Sequence, residues 1–255
     1  MNNIFSSHAR KEGAHPELSI IITCYNEAPH LEANTLAIWR VLDAAGIAFE
    51  TIFVEDRSTD ETGAIVRDFL EKHSDRSILA IFHAENQGRG AAVTDGLRSA
   101  RGTYAGFLDI DLEVGPQYLP QTIEFLRAGS DAVIADRWYR PAHGGFVRMF
   151  VSKGYRLLAR VLLRIPRMDT EAGYKFFRTE AIVPLLDDTR DTRWFWDTEI
   201  SVLCHDSHVR IVHQPVQFVR NPQKQSTVKL LRDTKRHLRG LLTLRRSRKA
   251  HRRYA

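Results

Sequence analysis

The stretch GFLDIDLEVGP, residues 106–116, ends an apolar run with Asp109 and Asp111, and adds Glu113 before a Gly-Pro turn. In an extended segment, residues i and i+2 project to the same side. The spacing therefore predicts that Asp109, Asp111 and Glu113 aim their oxygens at one point. Such a set suits a hard divalent cation, Mg2+ or Mn2+. Mg2+ usually keeps some waters and completes its shell with phosphate oxygens, so the acids also point to a phosphorylated ligand. An isolated Asp-x-Asp more often opens a loop or caps a helix; its company decides between the readings.

That company is polar and glycine-bearing. Asn86-Gln87-Gly88-Arg89-Gly90-Ala91-Ala92 is a loop entering a helix, where close backbone approach and a helix N-terminus suit phosphate or ribose. It is not a dinucleotide fingerprint, whose third glycine would fall at Val93, and no G-K-[ST] of a P-loop occurs. Taken alone, the loop serves equally well as a tight turn packing helix against strand. Glu55-Asp56 offers acceptors for a base or a ribose, although an isolated acidic pair more often caps a helix.

The elements that must position these groups alternate. Leu18–Thr23, Phe49–Val54, Ile78–Phe82, Tyr104–Leu108 and Asp131–Ala135 have the short apolar runs of strands buried on both faces. Helical spacing covers about 27–45, a stretch ending near Lys72 for which Ser58, Thr59 and Asp60 supply capping oxygens, then 91–100 and about 117–126. This alternation predicts an α/β fold with a mainly parallel central sheet and helices on both faces. Ligands in such sheets bind beyond the carboxyl ends of the strands. Tyr25-Asn26-Glu27, Glu55-Asp56, Asn86–Gly90 and Asp109–Asp111 all fall there, on one rim. Further on, 147–163 is predicted as an amphipathic helix, 173–177 and 209–219 as strands, and about 228–244 as a closing helix. Pro215 and Pro222 predict that the last strand is short or at an edge.

Composition allows one large domain: 255 residues, 43% hydrophobic and 9% aromatic. No apolar run approaches the roughly 20 residues that span a bilayer. Residues 1–16 have no secretory apolar core and are expected to form a disordered lead-in. Cys24 and Cys204 have neither metal spacing nor a disulfide pattern, which fits a reducing cytosol. The net charge of +6 is concentrated between Lys229 and Arg253. That leaves nucleic acid, anionic lipid or simple solvation open as the meaning of the basic tail.

SIIITCYNE, FVEDRSTDET, NQGRGAA, LDIDLEVGP and AGYKFF, in that order, resemble the family 2 glycosyltransferases with the GT-A fold. The nearest subgroup is that of the dolichol- and polyprenol-phosphate sugar synthases, and the likeness runs roughly from Leu18 to Lys229. The resemblance implies a glycosyltransferase domain over 17–227, followed by a basic amphipathic helix and tail over 228–255. Nucleoside binding maps to Tyr25, Glu27, Glu55 and Asp56. The wider nucleotide-sugar set adds Thr23, Asn26, Asn86, Gly88, Arg89, Gly90, Asp109, Lys175 and Arg220. The metal, Mg2+ or Mn2+, maps to Asp109, Asp111 and Glu113. The acceptor phosphate maps to Arg137, with Arg148 and Ser152 at helical i, i+4 spacing.

Departures from the subgroup are visible. Glu55 replaces the usual first Asp of a pair, Glu113 stands where Gln is common, and Ile110 is bulkier than the usual Ala. A Ser-Lys expected after an Arg is replaced by Arg220 and, later, Ser226-Thr227, with Lys224 or Lys229 as the nearby cations.

The implied function is metal-dependent inverting transfer of a sugar from a nucleotide-diphosphate sugar, of the GDP-mannose or UDP-glucose type, to a polyprenyl phosphate. Asp111, Arg137 and Asp197 are the expected catalytic residues. The alternative is transfer to a sugar hydroxyl in cell-envelope or exopolysaccharide synthesis. That reaction needs a general base, for which Asp197 in WFWDTEI is the candidate. A nucleic-acid-binding α/β protein is the distant third, since rim acids repel phosphates, and no nucleic-acid partner is expected. A lipid acceptor calls for peripheral attachment at the cytoplasmic membrane face. The basic closing helix would meet an anionic surface there, or else pack on the domain.

Overall fold

Leu18–Cys24, LSIIITC, is buried at nearly every position because its alternate side chains enter two different layers. Ile20 and Ile22 join one apolar cluster and Ile21 the other. The same logic makes Phe49–Glu55, Ile78–Phe82 and Tyr104–Leu108 interior strands. The computed structural model describes residues 2–7, 10, 15–139, 154, 157–220, 237–246 and 248. Within them the strands are β1 (Asn3–Ser6), β2 (Leu18–Cys24), β3 (Phe49–Glu55), β4 (Ile78–Phe82), β5 (Tyr104–Leu108), β6 (Ala132–Tyr139), β7 (Tyr174–Arg178) and β8 (Ile211–Phe218). The helices include α1 (Leu31–Ala44), α2 (Thr62–Lys72), α3 (Arg89–Arg98), α4 (Leu119–Arg127), the short α5 (Thr179–Ile182) and α6 (Trp196–Asp206), and residues 157–163 and 237–246 are also helical.

One sheet results, in the order β1-β4-β3-β2-β5-β7-β6-β8. The β4-β3-β2-β5 core is parallel; β7 runs antiparallel to both β5 and β6, and β8 is parallel to β6. Helices α1, α2 and α4 cover one face through residues such as Trp39, Phe69 and Ile123. Helices α3 and α6 cover the other through Val93, Leu97, Trp196 and Ile200. The chain leaves β2 towards β3 and later returns to β5 on the other side of β2. This puts the switch point of the winding, where α/β sheets open a crevice, between the ends of β2 and β5.

Two expectations change. Asn3–Ser6, expected in a disordered lead-in, pairs antiparallel with β4 as the edge strand, and Phe5 packs edge-on against Phe82 at 5.7 Å. The strand expected to end at Ala135 continues to Tyr139, because β8 pairs with it throughout and sets Arg137 opposite Val216. Arg137 therefore stands on β6 itself, two residues past the expected strand end. Of the two readings of the closing helix, packing on the domain is seen over 237–246, which bury Leu241 and Leu244 against Ala159, Leu163, Phe195 and Val202 and leave Leu238 and Leu242 exposed. Pro215 does lie on an edge strand, as its missing donor requires. Arg148, Ser152, Lys224 and Lys229 lie outside the described residues.

The parallel and antiparallel parts of the sheet meet at Gly106 on β5. A Cβ there would lie 2.3 Å from the Phe176 ring and 2.6 Å from the Lys175 carbonyl oxygen. Gly106→Ala is expected to cost about 2–3 kcal/mol through overpacking, read as a lower urea midpoint at unchanged slope.

Candidate active site

The rim is built from turns that hold one another. Asn26 and Arg57, following β2 and β3, both have positive φ (57° and 60°). Asn26 Oδ1 accepts from the Thr59 amide at 2.8 Å, and the Asn26 amide donates to Ser58 Oγ at 3.1 Å. The Glu27 amide donates to Thr62 Oγ1 at 2.9 Å. Ser58 and Thr59, expected as caps of α2, thus serve mainly to fasten the neighbouring turn; the N-cap position falls to Glu61, and Asp60, one residue earlier, accepts from the Thr62 amide at 3.0 Å. Glu55 is buried and receives the Ser58 amide at 2.5 Å. Tyr25 is 45% exposed, with its ring available at the mouth of the crevice.

Asp56 is spent differently from the expectation. It is buried, and its carboxylate accepts from the amides of Gln87 and Gly88, both at 2.8 Å. Its carbonyl accepts from Asn86 Nδ2 at 2.9 Å. Asp56 therefore shapes the glycine-bearing loop, and acts on the rim through it. Gly88 has φ 102° and sits against the Thr192 carbonyl; a Cβ on Gly90 would lie 2.6 Å from Trp196. The loop is clamped between Asp56 and the 192–196 segment, which the Ala91 amide joins through the Thr192 carbonyl at 3.0 Å. That segment is held in turn by buried Glu199, which accepts from the Arg190 and Asp191 amides at 2.8 Å each.

The clamp delivers Arg89. Its Nη2 and Nε donate to Asp109 Oδ1 at 2.7 and 3.1 Å, and its Nη1 donates to Asp197 Oδ2. The guanidinium also lies 5.2 Å from the Phe107 ring and 5.4 Å from Trp194. Asp197 Oδ1 accepts from Lys175 Nζ at 2.9 Å. Lys175 is wholly buried, and its other donors go to the carbonyls of Thr170 at 3.1 Å and Ala172 at 2.5 Å. Burial lowers its pKa against the pull of Asp197. Lys175, expected to contact the donor, thus has all three N–H groups committed inside the protein. Asp197, expected to be catalytic, is buried between two cations by its inward place on the first turn of α6.

Asp109, Asp111 and Glu113 do not follow one extended strand. β5 stops at Leu108; the Leu112 amide then closes a turn on the Asp109 carbonyl at 3.0 Å, with Leu112 at φ 52°. The turn still brings the three acids to one cleft, lined also by Val114, Arg137, Gly173 and Phe218. Among the described residues no three acids, histidines or cysteines close into a metal-binding group. The donor set nevertheless fits a hard cation that takes part of its shell from phosphate and water. Gly173 makes room for the Asp109 carboxylate: a Cβ there would come within 1.8 Å of Asp109 Oδ2.

Across the cleft, Arg137 donates to buried Asp169 through Nε at 2.7 Å and Nη2 at 2.9 Å. This fork fixes the guanidinium plane, and the charge is held firmly because Asp169 outweighs the effect of burial. The Val219 amide donates to the Glu113 carbonyl at 2.8 Å, so the chain entering Arg220 is tied to the acidic turn.

Sequence reasoning missed Asp169, His83 and Gly173. Asp169 stands three positions before AGYKFF, and an acid so close to a buried-strand start was a usable sign; His83 gave none, since a histidine at a strand end has many uses. Removing the Asp197 charge leaves Arg89 and Lys175 underpaired in the interior. Asp197→Asn is therefore expected to cost about 3 kcal/mol of stability, measured by urea denaturation; an unchanged midpoint would mean that the triad is dispensable to the fold.

The sequence model of glycosyl transferase family 2 matches residues 19–185. Glycosyltransferase AglD of Haloferax volcanii is 34% identical over 223 residues, which is 85% of this chain and 35% of that protein. The dolichol-phosphate mannosyltransferase of Pyrococcus furiosus is 29% identical over 174 residues, 65% of this chain and 47% of its own length. The chain thus spans less than half of either relative. Among solved structures, glucosyl-3-phosphoglycerate synthase of Mycobacterium tuberculosis, bound to Mn2+, UDP and glucosyl-3-phosphoglycerate, superposes with a TM-score of 0.67 at 20% identity, covering 92% of this chain and 81% of that one. Mannosyltransferase PcManGT of Pyrobaculum calidifontis, with GDP-Man and Mn2+, gives 0.55 at 21% identity, over 82% and 59%. The fold is GT-A, and the chain belongs to glycosyl transferase family 2.

Proposed function

We propose that this chain transfers a sugar from a nucleotide-diphosphate sugar, of the GDP-mannose or UDP-glucose type, to a polyprenyl phosphate. One observation carries the reading: the acids of the β5 turn and the fork-held Arg137 line the same cleft. A cleft with acids on one wall and a fixed guanidinium on the other suits two phosphorylated ligands bridged by a cation. The nearby Asp197 carboxylate, which a hydroxyl acceptor would require as base, is already occupied by Arg89 and Lys175. Two relatives whose names specify dolichyl or dolichol phosphate support the lipid acceptor.

Asp109 and Asp111 would hold Mg2+ or Mn2+, with Glu113 on the flank. Bound there, the ion would supply Lewis-acid neutralisation of the leaving diphosphate. Tyr25, Glu27 and Glu55 bound the nucleoside end of the crevice. Asp56 shapes the loop that leads into α3, and Arg89, the first residue of that helix, adds a charge beside the diphosphate. Arg137 orients the acceptor, whose phosphate oxygen is already anionic and attacks the anomeric carbon as the nucleoside diphosphate departs. No proton need be removed, so cationic placement replaces a base.

A panel of radiolabelled GDP and UDP sugars, incubated with Mg2+ or Mn2+ and a polyprenyl phosphate in detergent, tests this. Label is expected in the organic phase, and Asp111→Asn should lower its rate by at least about a hundredfold. Transfer only to water-soluble sugar acceptors would overturn the lipid reading.

A lipid acceptor also calls for a surface at the membrane, and none of the described helices is long and apolar enough to cross one. We infer that helix 237–246 and its neighbour 157–163 meet an anionic cytoplasmic leaflet. Leu157, Val161 and Leu238 stay 61%, 66% and 42% exposed among Arg160, Arg239 and Arg245. Each surface cation contributes about 1 kcal/mol there. The protein is expected to float with vesicles containing phosphatidylglycerol and to remain below with neutral ones, an affinity that salt weakens; equal partition between the two would refute the attachment.

A further inference from the structure

His83, just past β4, is buried and bonded at both ring nitrogens. Nδ1 lies 2.7 Å from Asp56 Oδ1, and Nε2 lies 3.1 Å from Asp95 Oδ2. Carboxylates only accept, so both ring nitrogens must donate, which only the imidazolium does. A neutral ring would set one lone pair against a carboxylate oxygen. Asp56 is the group that receives the Gln87 and Gly88 amides, next to Arg89. Asp95 lies on α3, the helix that Arg89 begins. Asn2 joins the same group, its Nδ2 3.5 Å from Asp95 Oδ2 and its Oδ1 accepting from Gln87 Nε2 at 3.3 Å.

We propose that His83 is a positioning residue for donor binding: as a cation it locks Asp56 to Asp95, and thereby fixes the loop that Asp56 holds, and with it Arg89, in the geometry that meets the diphosphate. The inference rests on the nucleotide-sugar reading of the crevice. The charged groups facing the ring are Asp56 from the end of β3 and Asp95 from α3. On the other face of the sheet, Arg67 of α2 covers the adjoining Phe82 at 4.3 Å. Burial opposes the charge, but the two carboxylates prevail and hold the ring's pKa up to about 9. A cation so stabilised contributes fully below the ordinary value of 6.5, and its contribution is lost as pH rises through about 9.

The lock is tested first without any nucleotide. In the 15N-labelled protein, the His83 ring should titrate near 9, and exchange protection of the Gln87 and Gly88 amides should fall over the same interval. His83→Gln should lose that protection at every pH. In calorimetry with GDP and UDP plus Mg2+, wild-type Kd should rise about tenfold between pH 7 and 9.5. His83→Gln should begin weak and show no such step. Asp95→Asn, which removes one carboxylate, should move the step to lower pH. Wild-type protection and affinity in His83→Gln, or an identical alkaline step in that variant, would overturn the proposal. If neither nucleotide binds the wild-type protein, the donor reading falls, while ring titration and amide protection still decide the lock.

Discussion

The site depends on one cation placed between two acids. Arg89 bridges Asp109, at the end of β5, and Asp197, on the first turn of α6, so a single guanidinium joins the sheet to the helix that covers it. Buried charges are tolerated only when paired and hydrogen-bonded, and here the pairing is continued by Lys175 on β7. Three elements from distant parts of the chain are thereby brought to one register beside the cleft. The glycines of the loop follow from this demand: Gly88 and Gly90 leave room for the 192–196 segment to press close enough that Arg89 reaches both partners.

The same arrangement gives Asp109 two roles. One oxygen is held by Arg89, and the other faces Gly173, where a bare Cα leaves space. Arg89 is thus a resident counter-charge for the acids of the crevice before any ligand arrives. Packed surroundings, with Asp111 and Asp197 adding to them, push the Asp109 carboxyl up, and Arg89 opposes that push. Charge balance at the site is set by the protein first and adjusted by whatever binds.

The fold was legible because its signals are local. Ile78–Phe82 and Tyr104–Leu108 were read with their observed bounds, since short β-branched and aromatic runs between polar breaks leave little choice. Pro215 announced an edge by the donor it lacks. The site was legible in part: its residue types stood out along the chain, but their partners did not. That Asp56 faces inward to the loop, or that Lys175 is saturated by two carbonyls and Asp197, depends on side-chain direction at strand ends and on contacts between segments far apart in sequence. The turn at Leu112 broke the simple alternation from which the acids were first aligned. Residues 3–6 escaped because a four-residue edge strand has too little pattern to show.

The parallel pairing of β6 with β8 joins Ala132 to Ile211, across nearly a third of the chain. Its outer strand, β8, is the last strand of the sheet in chain order, so the pairing cannot form until most of the chain has been made. Arg137 lies on that ladder, whereas the nucleoside turns belong to the parallel half that precedes it. During synthesis the first half can leave the ribosome and pack while the strand bearing Arg137 still lacks its outer neighbour. The wall of the cleft opposite the acids is therefore the last to be completed, and a chain stopped short of β8 would keep its first crevice while lacking the framework that sets Arg137 across from it.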